Sequence, residues 1–186
     1  IAESRVEPRY AGMSLEEIIK ERGGSDPFEA FFDWFLEIHG EATMVLFGMD
    51  EADVRTIIAH PLSAVISDSW VTAPEAGGRP HPRGYGSFPR LLGKYVREER
   101  VLSLEEGIRK ITSMPAGKAG ITRRGQIAEG FFADLVVFDP QTIRDRATFL
   151  DPHQYPEGIR HVLVNGQPVV TDNTLLGPRP GKILWK

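Results

Sequence analysis

The sequence predicts an α/β fold for residues 1–118 and a β-rich domain for residues 119–186. Two patterns lead to this prediction. Helix start signals alternate with short apolar runs before residue 120, whereas extended apolar runs and a hairpin signal follow it. The composition is that of a globular chain, since 41% of the residues are hydrophobic and 26% are charged.

Capping signals predict the helices of the first part. Ser14 and Glu17 form a capping box, and Asp26-Pro27 supplies a cap followed by proline at the first helical position. The four phenylalanines between Phe28 and Phe35 recur at helical spacing, so we expect them to form a core face. We predict helices over 15–22, 27–39, 51–59, 88–99 and 104–112, and a short helical turn at 115–116.

Short apolar runs predict the strands. Runs at 43–47 and 64–66 flank the helix over 51–59, which is the pattern of a buried strand–helix–strand unit. Asn165-Gly166 lies between two apolar runs and predicts a β-hairpin. The strands predicted after residue 120 are 125–128, 133–138, 161–164 and 168–170.

A carboxylate and an arginine are the strongest candidates for chemistry. Asp68 follows the 64–66 run and precedes a loop rich in Gly and Pro at 71–87. In a parallel α/β barrel, catalytic groups lie at the carboxyl ends of strands, where a carboxylate can ligate a metal ion or exchange a proton. Alternatively, Asp68 only caps the following turn. Arg83 lies in the same loop, and its planar guanidinium suits a carboxylate, although a solvated loop arginine has the same local pattern.

Several classes of site and partner find no support in the sequence. The five histidines form no His-x-His pair, and the position of His81 next to Pro82-Arg83 is compatible with lining the site, with supporting it from behind, or with a place on the surface. No cysteine is present, which excludes disulfides and thiolate ligands within these residues and is compatible with a cytoplasmic protein. No apolar run is long enough to span a membrane. The net charge is −4 and the basic residues are dispersed, so nucleic acid is not an expected partner.

A series of motifs runs in order along nearly the whole chain. It comprises Phe47-Gly-Met49, Ile66-Ser-Asp68, Pro80-His-Pro-Arg83, Tyr85-Gly-Ser-Phe-Pro-Arg90, Lys110-Ile-Thr-Ser-Met-Pro115, Ala133-Asp-Leu-Val-Val-Phe-Asp-Pro140 and Asp151-Pro-His-Gln-Tyr-Pro-Glu-Gly158. Together these motifs resemble the N-acyl-D-amino-acid deacylases, or D-aminoacylases, of the amidohydrolase superfamily. The His-Pro-Arg loop and the Asp-Pro-His-Gln segment are the narrower signals, whereas the Ala-Asp-Leu-Val-Val-Phe-Asp run is shared widely among amidohydrolases.

This resemblance implies both a fold and a reaction. Residues 1–118 would form the last units of a metal-dependent (β/α)8 barrel, and residues 119–186 would supply carboxy-terminal strands of a small β-sandwich domain. Asp68 would be a zinc ligand and the general acid/base. Arg83 would bind the carboxylate of an N-acyl-D-amino acid, with His81 also at the substrate site. The products would be a carboxylate and a free D-amino acid.

The resemblance also implies that the other zinc ligands lie outside this sequence. The family's His-x-His pair, bridging cysteine and two further histidines have no counterpart here. We therefore expect this chain alone to be inactive and to require the amino-terminal part of the same enzyme as its partner. Two alternatives stay open, namely an amidohydrolase acting on cyclic amides and a non-catalytic fragment that serves as a scaffold.

Overall fold

The computed structural model describes residues 1–23, 26–71 and 73–184. The helices are α1 Leu15–Arg22, α2 Pro27–Glu37, α3 Glu51–Ala59, α4 Arg83–Arg90, a π-helix Leu91–Glu98, α5 Leu104–Ile111 and α6 Ser113–Ala119, with 3-10 turns at Pro8–Tyr10 and Pro74–Ala76. The strands are β1 Glu3–Ser4, β2 Ala42–Thr43, β3 Leu135–Phe138, β4 Ile159–Val164, β5 Gln167–Thr171 and β6 Thr174–Leu175. Among the described helices, none has both the length and the apolar character needed to cross a membrane.

The chain folds into two compact units. The first contains Ile1–Gly48, Ser69–Gly84 and Ala147–Gln154, and the second contains Met49–Asp68, Tyr85–Arg146 and Tyr155–Lys186. This division describes packing within the chain, whereas the boundary expected between residues 118 and 119 refers to the domains of an enzyme. That boundary stays a prediction.

The core of the first unit forms where α1 and α2 meet. The predicted capping box of α1 is present, since Ser14 Oγ accepts from the Glu17 N–H at 3.1 Å and Glu17 accepts from the Ser14 N–H at 2.7 Å. The buried cluster consists of Tyr10, Ile18, Trp34 and Ile38. The Tyr10 and Trp34 rings pack edge to face with centroids 5.9 Å apart, an arrangement that aromatic quadrupoles favour.

The prediction for the buried face of α2 was wrong in large part. Phe28 is 72% exposed and Phe32 is 55% exposed, whereas Ala30 and Trp34 of the same helix are buried. Phe31 is the one predicted phenylalanine that packs against the buried cluster within the described residues. Apolar side chains cover most of this helix, so its spacing alone does not determine which side faces the core.

Helices dominate the first half of the second unit. The structure extends the predicted 88–99 helix back to Arg83 and converts its second half to a π-helix. Pro89 has no N–H to donate to the preceding turn, and the wider helix begins two residues later. Glu51 of α3 accepts hydrogen bonds from Lys94 Nζ at 2.6 Å and Tyr95 Oη at 2.5 Å. These bonds fix α3 to the π-helix.

Three predicted strands are not present as predicted. The 43–47 run contributes only Thr43 to a strand, and the 64–66 and 125–128 runs contribute none. A strand exists only when a neighbour accepts and donates its ladder hydrogen bonds. The Val65 N–H is instead donated to the Lys110 carbonyl of α5, at 3.1 Å. The strand–helix–strand unit is therefore not formed among the described residues.

The predicted β-rich tail is confirmed as an antiparallel sheet of order β3-β4-β5-β6. β4 and β5 form the predicted hairpin, with Val164 paired to Gln167. Asn165 and Gly166 have φ of 49° and 80°, the positive values that a type I′ turn requires at both central residues.

Candidate active site

Asp68 ends the segment that follows α3 and belongs to the second unit. It is exposed, and its backbone lies in the left-handed region with φ of 46°. Aspartate tolerates this conformation better than most residues because its short polar side chain can bond locally. Non-glycine residues with such backbones are enriched at functional sites.

His81 and Arg83 lie together at the start of α4, in the first unit. His81 Nδ1 accepts a hydrogen bond from the Arg83 N–H at 3.0 Å, so the proton of the neutral ring is on Nε2. Partial burial and the nearby charge of Arg83 lower the pKa of His81. Phe149 packs edge to face on its ring, with centroids 5.0 Å apart. His81 is thus held as a neutral donor.

Arg83 is the first residue of α4, and its side chain is exposed. The hydrogen bond from its own N–H to His81 fixes the backbone from which the guanidinium extends. The structure therefore brings two of the three predicted site residues, Arg83 and His81, into one local arrangement. The third, Asp68, is in the other unit.

Sequence reasoning missed Arg79, which lines a cavity of about 390 Å³ in the first unit. The lining is mainly apolar and includes Met13, Leu15, Leu46, Phe47, Pro80 and Phe149. Among the described residues, no carboxylate forms a hydrogen bond or ion pair with the Arg79 guanidinium. Glu17 also lines the cavity, but its carboxylate accepts from the backbone and hydroxyl of Ser14 at 2.7 and 2.8 Å.

Gly12 allows Arg79 to occupy this place. A Cβ at Gly12 would lie 1.6 Å from Arg79 Nη1 and 2.7 Å from its Cζ. Gly12 also has φ of 91°, which side-chain-bearing residues rarely adopt. An arginine above an apolar lining suits a ligand with a carboxylate and an apolar substituent. In the sequence, only its position four residues before Arg83 points to a role for Arg79. A solvated loop arginine could occupy the same position.

His153 holds the loop that leads to Arg79. Its Nε2 lies 3.2 Å from the carbonyl oxygens of both Gly77 and Gly78. The Asp151-Pro-His-Gln segment, expected in the β-rich tail, instead packs as part of the first unit. This contact gives the Asp151-Pro-His-Gln segment a structural role. The family resemblance had identified the segment but assigned it no role.

The described residues supply one candidate zinc ligand. A catalytic zinc site usually has three protein ligands. In the described ranges 1–23, 26–71 and 73–184, no three His, Cys, Asp or Glu side chains are grouped closely enough to hold a metal ion. A carboxylate is a ligand that zinc accepts, so Asp68 fits as a single member of such a site. A zinc centre that includes Asp68 requires ligands beyond these residues.

The sequence is similar to known deacylases over most of its length. It is 40% identical over 177 residues to the D-aminoacylase of Alcaligenes xylosoxydans xylosoxydans, covering 95% of this chain and 34% of that protein. It is 42% identical over 177 residues to the N-acyl-D-glutamate deacylase of that organism, again covering 95% of this chain and 34% of that protein. The chain thus spans about a third of the length of the curated relatives it matches.

A solved structure confirms the predicted fold class. The N-acyl-D-glutamate deacylase from Bordetella bronchiseptica, complexed with zinc and a phosphonate inhibitor that mimics the tetrahedral reaction intermediate, superposes with a TM-score of 0.80. The identity is 40%, and the match covers 91% of this chain and 34% of that one. The sequence model of the amidohydrolase family matches residues 14–170. The chain therefore belongs to the amidohydrolase family, and it is similar to members named as D-aminoacylase and N-acyl-D-glutamate deacylase.

Proposed function

We propose that the protein containing this chain hydrolyses the amide bond of N-acyl-D-amino acids with zinc as its cofactor. The observation that carries the proposal is the 79–83 loop, in which Arg79 and Pro80 line a mainly apolar cavity and His81 and Arg83 follow directly along the chain. An N-acyl-amino acid has an apolar acyl group and a carboxylate, which these groups can recognise. The relatives are named as deacylases of such compounds.

Asp68 would act on the reacting atoms. A zinc ion ligated by Asp68 and by other residues would supply a Lewis acid that polarises the amide carbonyl. The Asp68 carboxylate would accept the proton of the attacking water and then donate it to the leaving nitrogen. The free D-amino acid and a carboxylate would leave as products.

The loop would bind the substrate. Arg83 is the candidate for the α-carboxylate, as the family resemblance implies, and Arg79 is a second candidate because it lines the cavity. His81 would donate one hydrogen bond from Nε2, because its Nδ1 is occupied by the Arg83 N–H. A neutral donor at this position would add no further positive charge beside the arginines.

The remaining parts of the proposal concern the whole protein. We propose that residues 1–118 belong to the barrel and 119–186 to the β domain, and that an amino-terminal part of the same enzyme supplies the other zinc ligands. The missing amino-terminal part is supported by coverage, since this chain spans 34% of the length of the D-aminoacylase relative. The 186-residue chain alone would be inactive. We also propose a cytoplasmic location, with which the lack of cysteine in these 186 residues is compatible.

The test is amino-acid release by the full gene product with zinc, from paired N-acetyl-D and N-acetyl-L amino acids. Asp68→Asn keeps a residue that tolerates positive φ while it removes the charge, and should lower kcat by about 100- to 10,000-fold. Asp172→Asn is the matched control, because Asp172 is also exposed and has the same φ of 46°.

Three results would contradict parts of the proposal. Equal release from both isomers would retain amide hydrolysis and remove the D-specificity. Hydrolysis of a cyclic amide in place of the acyl-amino acids would support the other hydrolase. If no amide is cleaved by a zinc-loaded, folded gene product, the chain is part of a scaffold.

A further inference from the structure

Lys110 on α5 is a buried lysine that the proposed reaction does not use. Its side chain is 0% exposed, and it is the only charged residue in the fully buried class within the described part of the chain. A buried ammonium group is costly unless hydrogen bonds replace its lost hydration. The position therefore calls for a specific set of acceptors.

Those acceptors all belong to the turn that follows α3. Lys110 Nζ donates to the His60 carbonyl at 2.5 Å, to the Ser63 carbonyl at 2.9 Å and to Ser63 Oγ at 3.1 Å. The three N–H donors of the ammonium group are thus matched by three oxygens. The nearest carboxylate is Glu106 at 3.8 Å, and it also accepts two hydrogen bonds from Arg109.

The backbone of Lys110 holds the next part of the same segment. Its carbonyl accepts the Val65 N–H at 3.1 Å. One residue therefore fixes the turn at His60 to Ser63 and also the first residues beyond it. Asp68 is three residues after Val65, a span of at most about 10 Å of chain. Residues 64–68 belong to no strand among the described residues, so the bonds of Lys110 to His60, Ser63 and Val65 help to hold the segment that leads to Asp68.

We infer that Lys110 is a positioning residue that sets the place of the Asp68 carboxylate through this turn. The inference rests on the proposed role of Asp68 as general acid/base. Lys110 itself touches neither substrate nor reacting atoms. Its effect comes from restricting the backbone that carries Asp68, and a displacement of about 1 Å at a catalytic group can cost about 100-fold in rate.

The experiment compares Lys110→Met with Ser103→Ala in the full gene product loaded with zinc. Met keeps most of the volume and removes the three donors. Ser103 caps the same helix by accepting from the Glu106 N–H at 3.2 Å, so its loss weakens α5 without touching the turn. Both variants are measured for kcat and KM on an N-acetyl-D-amino acid, for thermal unfolding, and for hydrogen exchange over residues 64–68.

We expect Lys110→Met to lower kcat by about 100-fold while KM changes by less than about twofold. Amide exchange over residues 64–68 should become faster. Ser103→Ala should leave kcat and this exchange unchanged although it lowers the unfolding temperature. An equal loss of kcat in both variants, or no loss in Lys110→Met, would overturn the inference.

A second pair of variants covers the case in which Lys110→Met does not fold. Ser63→Ala removes one acceptor and leaves the two carbonyl oxygens, so kcat should fall several-fold at constant KM. Arg109→Gln is its control, because the Arg109 side chain contacts this turn through an exposed hydrogen bond of 3.4 Å to the Pro61 carbonyl. If Ser63→Ala behaves as Arg109→Gln does, Lys110 has no positioning role.

Different results refute the proposed function and the positioning role of Lys110. A wild-type protein that cleaves no N-acyl-D-amino acid refutes the proposed function. Exchange over residues 64–68 is measured without substrate, and an unchanged rate in the Lys110 and Ser63 variants refutes the positioning role even in an active enzyme.

Discussion

Replacement of Gly12 by alanine should weaken substrate binding by displacing Arg79. The added Cβ would lie 1.6 Å from Arg79 Nη1, so the guanidinium has to withdraw by roughly 2 Å to restore ordinary contact. A shift of that size breaks a hydrogen bond between charged groups, which contributes about 1.5–3 kcal/mol. If Arg79 binds the substrate carboxylate, KM should rise by about 10- to 100-fold.

Gly23→Ala separates this effect from backbone strain. Gly23 has φ of 72°, and a Cβ there meets nothing within 4 Å. Both variants should therefore lose about 1–3 kcal/mol of stability, because each places a side chain on a backbone of positive φ. Only Gly12→Ala should change KM for an N-acetyl-D-amino acid, with kcat nearly constant.

A double-mutant cycle shows whether the effect passes through Arg79. Arg79→Gln should raise KM by a similar factor, and Gly12→Ala should add nothing in that background. If the effects add, the new methyl group acts on the substrate directly. If neither variant changes KM, Arg79 does not bind the carboxylate, and Arg83 is the candidate that remains.

Two further predictions concern stability. Lys94 and then Tyr95 lower the pKa of Glu51, so the stabilisation from the ionised Glu51 carboxylate is present above the ordinary value of 4.5 and is lost as the pH falls below it. In urea unfolding, Glu51→Gln should be less stable than wild type at pH 7, and the difference should shrink as the pH falls below 4.5. Gly158→Ala places a Cβ 2.5 Å from the Ile143 backbone at φ of 85°, whereas Gly130 has φ of 77° and open space. Gly158→Ala should cost about 2–5 kcal/mol and Gly130→Ala about 1–2 kcal/mol in the same assay; equal losses would exclude the Ile143 contact.

The helices were predictable because their signals are local. The bounds of α1 and α3 match the predicted 15–22 and 51–59, and the Ser14–Glu17 capping box is formed. The Asn165-Gly166 hairpin was predicted for the same reason, since both turn residues have the positive φ that their type favours. Each of these features joins residues only a few positions apart.

Strands and helix faces depend on partners that the sequence does not locate. The 64–66 run is apolar, but its described backbone bonds to Lys110 rather than to a neighbouring strand. Ala30 and Trp34 of α2 are buried in place of Phe28 and Phe32, because Tyr10 and Ile18 pack against that side. The apolar pattern permits either face, and tertiary packing selects one.

The sequence by itself determined the family, the β-rich tail and the candidates Asp68, His81 and Arg83, because each is recorded in a motif of a few residues. Tertiary structure alone decided that Arg79 lies against Gly12, that His153 holds Gly77, and that Lys110 bonds to His60. The last two contacts join residues 76 and 50 positions apart. Local spacing carries no information on which distant acceptors a side chain will meet, since the folded path of the chain places them.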